Sequence, residues 1–408
     1  MKILVHELLE ELIQVAEKSA QISRICRDDN DGLFRILIQE KINNDDGKNP
    51  RFQHDYKTFA DVLIQEMAKF CLEAKFPGFS KQIYGEESNH FQNKLGEKIS
   101  IQIGNDQQIT YENFVKILDY NTSVSQKLVQ VIYSSSSSSS STINNSVQYD
   151  SDLPSISLEL SDIAVWIDPI GMYTKYNFNN NHNYSLINQI DSTSEYIKGQ
   201  WNNTSDQTKL IPKGLHCVTC LFGVFDTRTG MPIIGVCNQP FYRKHNDGSY
   251  EGRYIWGYNI DHISRNNIDE SMIKSDSGII LIGGKENIEL KERINRFAKT
   301  MYVAGAGHKL LNVAIGKADL LLTSSKSTYY WDTCAIHAIL RSIGGGIIPF
   351  ENFIQINNDN IDKYLEHSQI RYKEKTMTMK NFDCNHSKGL IAYRSIDAVR
   401  KTLNLLKI

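Results

Sequence analysis

The sequence has no strong charge of either sign: 45 Lys and Arg stand against 47 Asp and Glu, a formal net charge of −2 over 408 residues. That balance gives no global pull toward nucleic acid or an anionic membrane. No uninterrupted apolar run reaches the ~18 residues needed to span a bilayer. The opening MKILVHELLEELIQVAEK sets Glu7, Glu10 and Glu11 inside its apolar pattern, so it reads as an amphipathic helix and not as a secretory leader. Seven cysteines scattered along the chain are an odd number and too sparse for a disulfide framework. They point to reduced thiols in the cytoplasm. No internal repeat is present. Gly344-Gly345-Gly346 is not followed by Lys and Ser or Thr, which excludes a P-loop. Cys217-Val218-Thr219-Cys220 has no second C-x-x-C, and in a strand its two thiols point to opposite faces, against a zinc or redox site. The histidines show no ligand spacing.

What is present is material for a large core, since 40% of the residues are apolar. The first third reads as mostly helical: Phe59, Val62, Leu63, Met67, Phe70 and Cys71 recur at helical spacing, and Pro77-Gly78 ends that segment. A short strand, Ile83-Tyr84, leads into Gly85-Glu86-Glu87-Ser88-Asn89. Residues 134–146, opened by an unbroken serine run, cannot bury apolar area and are expected to form a disordered surface loop. Asp162 to Ile167 reads as a strand. Cys217 to Asn238 reads as a hairpin turning at Asp226 to Gly230 and closed by Gln239-Pro240. Ile279 to Ile282 and Leu320 to Thr323 are further strands, with helices after Glu292 and Asp332. The irregular alternation favours an α/β or α+β layered sandwich over a strict βαβ repeat, with residues 1–408 as one catalytic unit.

Four separated segments each supply carboxylates beside small or hydroxyl residues. They are Asp55-Tyr56-Lys57-Thr58 with Asp61, Glu86-Glu87-Ser88, Asp168 with Asp191-Ser192-Thr193, and Trp331-Asp332-Thr333-Cys334-Ala335. Magnesium wants octahedral oxygen ligands, so a site holding two or three such ions must gather carboxylates from distant parts of a chain. Two metals can polarise a phosphoryl oxygen, steady the leaving oxygen and acidify a water. Each segment alone is weak evidence and reads first as a solvated surface feature or a helix cap. Ser192-x-x-Glu195 fits a capping box, and the same helix start could offer free amides to a phosphate.

As an ordered set, D-x-K-T-x-x-D, Y-G-E-E-S-N, W-I-D-P-I…D-S-T, G-A-G-H-K and W-D-T-C-A resemble the magnesium-dependent, lithium-sensitive phosphomonoesterases of the inositol monophosphatase superfamily. Asp55 to Gln65, Tyr84 to Asn89, Gly235 to Phe241, Trp331 to Gly346 and Lys388 to Ser395 point to its branch acting on inositol polyphosphates. So does Ser192, where many relatives have Gly. The resemblance implies an α-β-α-β-α sugar-phosphatase sandwich. It also implies two or three Mg²⁺ held by Glu86, Glu87, Asp168, the Ile170 carbonyl, Asp191 and Asp332, with Li⁺ as an inhibitor. By the same likeness Asp55 and Thr193 orient an attacking water, Ser192 and Thr193 hold the scissile phosphate, and Gly305, Ala306 and Lys309 face the inositol ring. Lys309 then meets a second phosphate; His308 stands where a Tyr is usual and has no assigned role. The implied reaction removes the 1-phosphate of inositol 1,4-bisphosphate, or of inositol 1,3,4-trisphosphate, by means of a metal-activated water. The alternative is a 3′-phosphoadenosine 5′-phosphate phosphatase. Partners are small inositol phosphates, with no nucleic acid, membrane insertion or obligate protein partner expected.

The D-P-I…D-S-T motif is interrupted. Gly171 to Ile190, twenty residues with six Asn, three Tyr and no acid, separate Ile170 from Asp191. One reading is a genuine Asn-rich loop, which would loosen the site and leave a catalytically impaired inositol-phosphate-binding protein. The other is a retained intron. Gly-Met-Tyr can be encoded with a donor-like GTATGT, Ile190-Asp191 with an acceptor-like ATAG, and excision restores W-I-D-P-I-D-S-T in frame.

Overall fold

The computed structural model describes residues 1–28, 33–41, 56–134, 156–170, 192–202, 209–269, 277–284, 286–356, 360–374 and 384–406. Eleven helices are described. They are α1 (Val5–Arg27), α2 (Phe59–Lys75), α3 (Gln107–Ile117), α4 (Thr122–Tyr133), α5 (Ser192–Lys198), α6 (Ile288–Asn295), α7 (Ala306–Ala314), α8 (Tyr330–Ser342), α9 (Phe350–Ile354), α10 (Ile361–His367) and α11 (Ile396–Leu406). Three two-stranded ribbons pair β1 (Lys2–Leu4) with β7 (Ser157–Glu159), β2 (Ile38–Glu40) with β3 (Tyr56–Thr58), and β5 (His90–Gln92) with β6 (Lys98–Ser100). The larger sheet has six strands in the order β12-β11-β10-β9-β8-β4. Its members are β4 (Ile83–Gly85), β8 (Ile163–Asp168), β9 (Cys220–Asp226), β10 (Pro232–Lys244), β11 (Tyr250–Ile260) and β12 (Ile263–Asn266). The second sheet, in the order β14-β13-β15-β17-β16, joins β13 (Ile279–Ile282), β14 (Lys299–Met301), β15 (Leu320–Thr323), β16 (Gly346–Pro349) and β17 (Leu390–Tyr393). No described helix is long and apolar enough to cross a membrane.

Strand alternation builds the layers. In β8, Ile163, Val165 and Ile167 join the core under α1 and α2, while Ala164 and Trp166 point the other way into the core around α7 and α8. In β15, Leu321 faces that same central core, and Leu320 and Leu322 face a third core with residues of α6, α10 and α11. The result is the α-β-α-β-α sandwich that the sequence pointed to. In α1, Leu8, Leu12, Val15, Ala16 and Ile22 form a buried stripe, the periodicity of a helix with one face on a sheet. α2 starts at a capping box, with Thr58 N and Oγ1 both donating to Asp61 Oδ2 at 2.7 Å.

The β9–β10 hairpin turns where expected, with Asp226 Oδ1 accepting from the amides of Arg228 and Thr229. Gln239-Pro240 does not close it. β10 continues to Lys244, and the register with β11 shifts between Gln239 and Arg243. A proline lacks the ladder donor and is tolerated at such an irregularity, and its carbonyl accepts from Arg24 Nη1 at 2.9 Å. α6 begins at Ile288, before Glu292. Cys217 and Cys220 fall into different cores, although Cys217 ends a 3-10 turn over Leu215–Cys217 and only Cys220 lies in the expected strand.

α8 touches the sheet at backbone distance. Gly223, Gly235 and Gly257 are cross-strand partners on β9, β10 and β11. A Cβ at Gly223 would lie 2.4 Å from Ala335 N, and one at Gly235 would lie 1.9 Å from Ala335 O. Gly235→Ala therefore forces helix and sheet apart. Overpacking of this kind costs about 1–3 kcal/mol. Denaturant melts should show that loss, while Gly104→Ala, with nothing within 4 Å of the added carbon, leaves the midpoint almost unchanged.

Candidate active site

Gly85 pairs with Ile167 in the parallel β4–β8 ladder. Glu86 and Asp168 therefore leave the sheet side by side at the carboxyl ends of two strands, where open α/β sheets place their ligands. Both are buried, Asp168 completely. The Glu86-Glu87 turn is clamped from α2: Gln65 Nε2 donates to Glu87 O at 2.5 Å, and Gln65 Oε1 accepts from Glu87 N at 3.0 Å. Gly85 is required for this approach, because a Cβ there would meet Gln65 Oε1 at 2.0 Å.

The third acid arrives on α8. Asp332 sits in the first turn of that helix, fully buried, with Oδ2 accepting from Tyr329 N at 2.6 Å. The glycine row sets α8 on the sheet, and aromatic contacts place its start over the end of β8. Trp166 lies 5.7 Å from Tyr330 and 5.9 Å from Trp331, ring centre to ring centre. Trp166 precedes Asp168 by two residues on the same face of β8.

The two ends of the interrupted motif meet. Thr193 Oγ1 donates to Ile170 O at 2.8 Å, buried from solvent. That contact spans 23 positions in the numbering, yet it is the bond that a short strand-turn-helix junction would make. α5 begins at Ser192 as expected. The Ser192 half of the expected capping box lies outside the described side chains, but the other bonds of Glu195 are visible. Glu195 Oε2 accepts from Gly214 N, and Oε1 pairs with Lys198 at 3.0 Å.

A buried lysine that the sequence did not single out lies among these acids. Lys41 Nζ is 2.9 Å from Glu86 Oε1 and 2.7 Å from Glu87 Oε1, with its side chain 1% exposed. Asp61 is close enough to feel Glu87; burial first, and that neighbouring carboxylate second, push its carboxyl up to about 7.

Gly305 opens α7 with φ +78°, a conformation that favours glycine. A Cβ at Gly307 would lie 2.8 Å from Leu221 Cδ1, and Leu221 is the cross-strand partner of Asp168. The start of α7 therefore packs on β9 next to the strand that carries Asp168. Lys309 Nζ stands 4.8 Å over the Tyr302 ring. His308, given no role above, is buried, with Nδ1 3.3 Å from Gln239 Nε2 and Nε2 3.2 Å from Ile211 O. The carbonyl fixes the proton on Nε2, so Nδ1 accepts from Gln239. Burial pulls His308 down to about 3 and His216, stacked on Trp201, down to about 4.

Glu86, Glu87, Asp168, Ile170, Thr193 and Asp332 are thus brought to one end of the larger sheet, while Gly305, Ala306 and Lys309 stand at the start of α7, which packs on Leu221, the cross-strand partner of Asp168. Asp55, Asp191, residues 135–146 and residues 171–190 lie outside the described residues, as does the side chain of Ser192. Among the described residues no group of three or more His, Cys, Asp or Glu closes into a metal cluster. The expected ligand set includes Asp191, with Asp55 beside it. The donors that are described are hard oxygens, the chemistry that suits Mg²⁺. Lys41 and Gln65 are the partners sequence reasoning missed. Gln65 stood within a quoted motif, whereas no local pattern marks Lys41 as buried.

Residues 180–382 match the Inositol monophosphatase family. The chain is 35% identical over 407 residues to mouse "Inositol polyphosphate 1-phosphatase", covering 95% of this chain and 94% of that one. It is 34% identical to the human protein of the same name, covering 98% and 97%. The human "3′(2′),5′-bisphosphate nucleotidase 1" is 26% identical over 50% of this chain and 55% of that one.

Lys41→Met leaves Glu86 and Glu87 buried without their counter-charge, a change that costs about 3–5 kcal/mol. Urea melts in the presence of a chelator should show this loss, and added Mg²⁺ should recover part of it. His308 gives a pH signature. Its folded pKa of about 3 lies below the unfolded value near 6.5, so its contribution is fully present above about pH 6.5. That contribution is lost as pH falls toward 3. His308→Gln should flatten the acid limb of a stability-versus-pH curve by about one proton's slope.

Proposed function

The chain belongs to the inositol monophosphatase family, and from that premise we propose that it is an inositol polyphosphate 1-phosphatase. It is a phosphatase of inositol phosphates. Its proposed substrate is inositol 1,4-bisphosphate, with inositol 1,3,4-trisphosphate second, and its proposed setting is the cytoplasm, in keeping with seven buried thiols. The observation that carries the reading is the convergence of Glu86, Asp168 and Asp332 from three distant segments onto one end of the larger sheet. Buried acids are tolerated only when charge or hydrogen bonds compensate them, and Lys41 pairs with both Glu86 and Glu87.

In the proposed mechanism Glu86, Glu87, Asp168, the Ile170 carbonyl, Asp191 and Asp332 hold Mg²⁺. When bound, the metal supplies positive charge against the phosphoryl and leaving oxygens. Asp55 and Thr193 orient the attacking water, and Ser192 and Thr193 hold the phosphate in line. The water oxygen would form the new P–O bond as the ester oxygen on inositol C1 departs on the opposite side and takes up the proton that the water gives up. Lys309, a flexible point charge, meets the second phosphate. No Ser or Cys nucleophile is needed.

The contact between Thr193 and Ile170 supports a working site in which Asp191 directly follows Ile170. We therefore propose that residues 171–190 are dispensable to the enzyme. Phosphate release from inositol 1,4-bisphosphate and from 3′-phosphoadenosine 5′-phosphate, with Mg²⁺ and then Li⁺, tests the substrate. The inositol substrate should be preferred, and preference for the nucleotide overturns the reading. Asp332→Ala should lower turnover by at least about a hundredfold, beyond the usual cost of losing an outer-shell partner. A variant lacking 171–190 should turn over at least as fast as the full chain; loss of activity contradicts dispensability.

A further inference from the structure

Behind the acids runs a buried polar chain with no task assigned so far. It starts at Thr333, the residue after Asp332. Thr333 Oγ1 lies 2.8 Å from His386 Nε2 and 3.1 Å from the Tyr372 hydroxyl. The Tyr372 hydroxyl lies 3.1 Å from His337 Nδ1, and His337 Nε2 lies 2.8 Å from Gln369 Oε1. Gln369 Nε2 donates to the Tyr393 hydroxyl on β17 at 2.7 Å. Every member is buried. Gln369 cannot be turned around, because Ile347 N also donates to its Oε1 at 3.0 Å. His337 must therefore carry its proton on Nε2, donating to Gln369 Oε1, and burial holds it neutral.

The same segment grips β8. Trp166 Nε1 donates to Lys373 O at 3.2 Å, and Tyr372 N donates to Gly230 O at 2.8 Å. Residues 369–373 therefore form a strap bonded both to the helix that carries Asp332 and to the strand that carries Asp168. The first turn of α8 needs such a tether. The first four amides of a helix lack partners within it, and the close glycine contact begins only at Cys334. His386 strengthens the hold, since its amide donates to Thr328 O at 2.9 Å.

We propose that this strap is a positioning device. Thr333, Tyr372 and His386 set the rotation of the first turn of α8, while Lys373 holds Trp166 to the same strap. The spacing of Asp332 from Asp168, and hence magnesium affinity, is set by residues that touch neither metal nor substrate. The inference rests on the reading of both acids as ligands. Mg²⁺ demands near-octahedral geometry, and loss of an outer-shell partner typically costs about 10–100-fold in metal affinity.

Titration calorimetry of Mg²⁺ into the full chain provides the test, because it reads binding apart from turnover. Thr333→Val and Tyr372→Phe should each weaken binding by about tenfold or more, Thr333→Ser should restore it, and the double variant should add little to either. Melts of the same proteins report folding separately. Lower melting points with unchanged Mg²⁺ affinity overturn the positioning role. Asp332→Asn separates the two levels: if it leaves Mg²⁺ binding intact, the ligand reading falls and the positioning claim with it. If it abolishes binding while the Thr333 and Tyr372 variants do not weaken it, positioning alone falls.

Discussion

The structure depends on one contact, the seating of α8 on the row formed by Gly223, Gly235 and Gly257. Three strands present no side chain at the crossing, so the helix backbone rests on the sheet itself. A helix normally stands about 10 Å from the layer beneath it; here the separation collapses to backbone contact. That approach brings an acid at the start of a helix down to the level of acids at the ends of strands. The sheet it rests on separates a core under α1 and α2 from a core around α7 and α8. Fold and candidate site are consequences of the same packing.

The second constraint is charge. Glu86, Glu87, Asp61, Asp168 and Asp332 are all buried, and isolated buried carboxylates are costly enough to neutralise themselves or unfold the region. The chain compensates in different ways. Lys41 bridges Glu86 and Glu87, Thr58 caps Asp61, and the Tyr329 amide serves Asp332. These arrangements are local, and the groups they hold together are hard-oxygen donors, the ligand chemistry that suits Mg²⁺.

Much of this was legible in the sequence, for a physical reason. β13 and β15 fell where Ile279 to Ile282 and Leu320 to Thr323 predicted them, because short apolar runs between turn residues can only be buried strands. The acidic segments stood out because magnesium chemistry demands carboxylates beside small residues. The overrun of β10 past Pro240 was not legible, since tolerance of that proline depends on a register shift against β11 and on Arg24 from another layer. Lys41 was not legible either. Its burial comes from tertiary contacts, among them those with Glu86 and Glu87, which no local pattern encodes. The strap is hidden for the same reason, as Tyr372 and His386 acquire meaning only through Thr333.

The central claim is that acids from β8, α8 and the turn after β4 converge to hold divalent metal. Anomalous scattering from crystals of the full chain soaked in Mn²⁺ tests it most directly. The account predicts manganese peaks bounded by Glu86, Asp168 and Asp332, next to the junction of Ile170 and Thr193. Peaks elsewhere, or Glu86 and Glu87 still closed on Lys41 with no manganese between these acids, would contradict it.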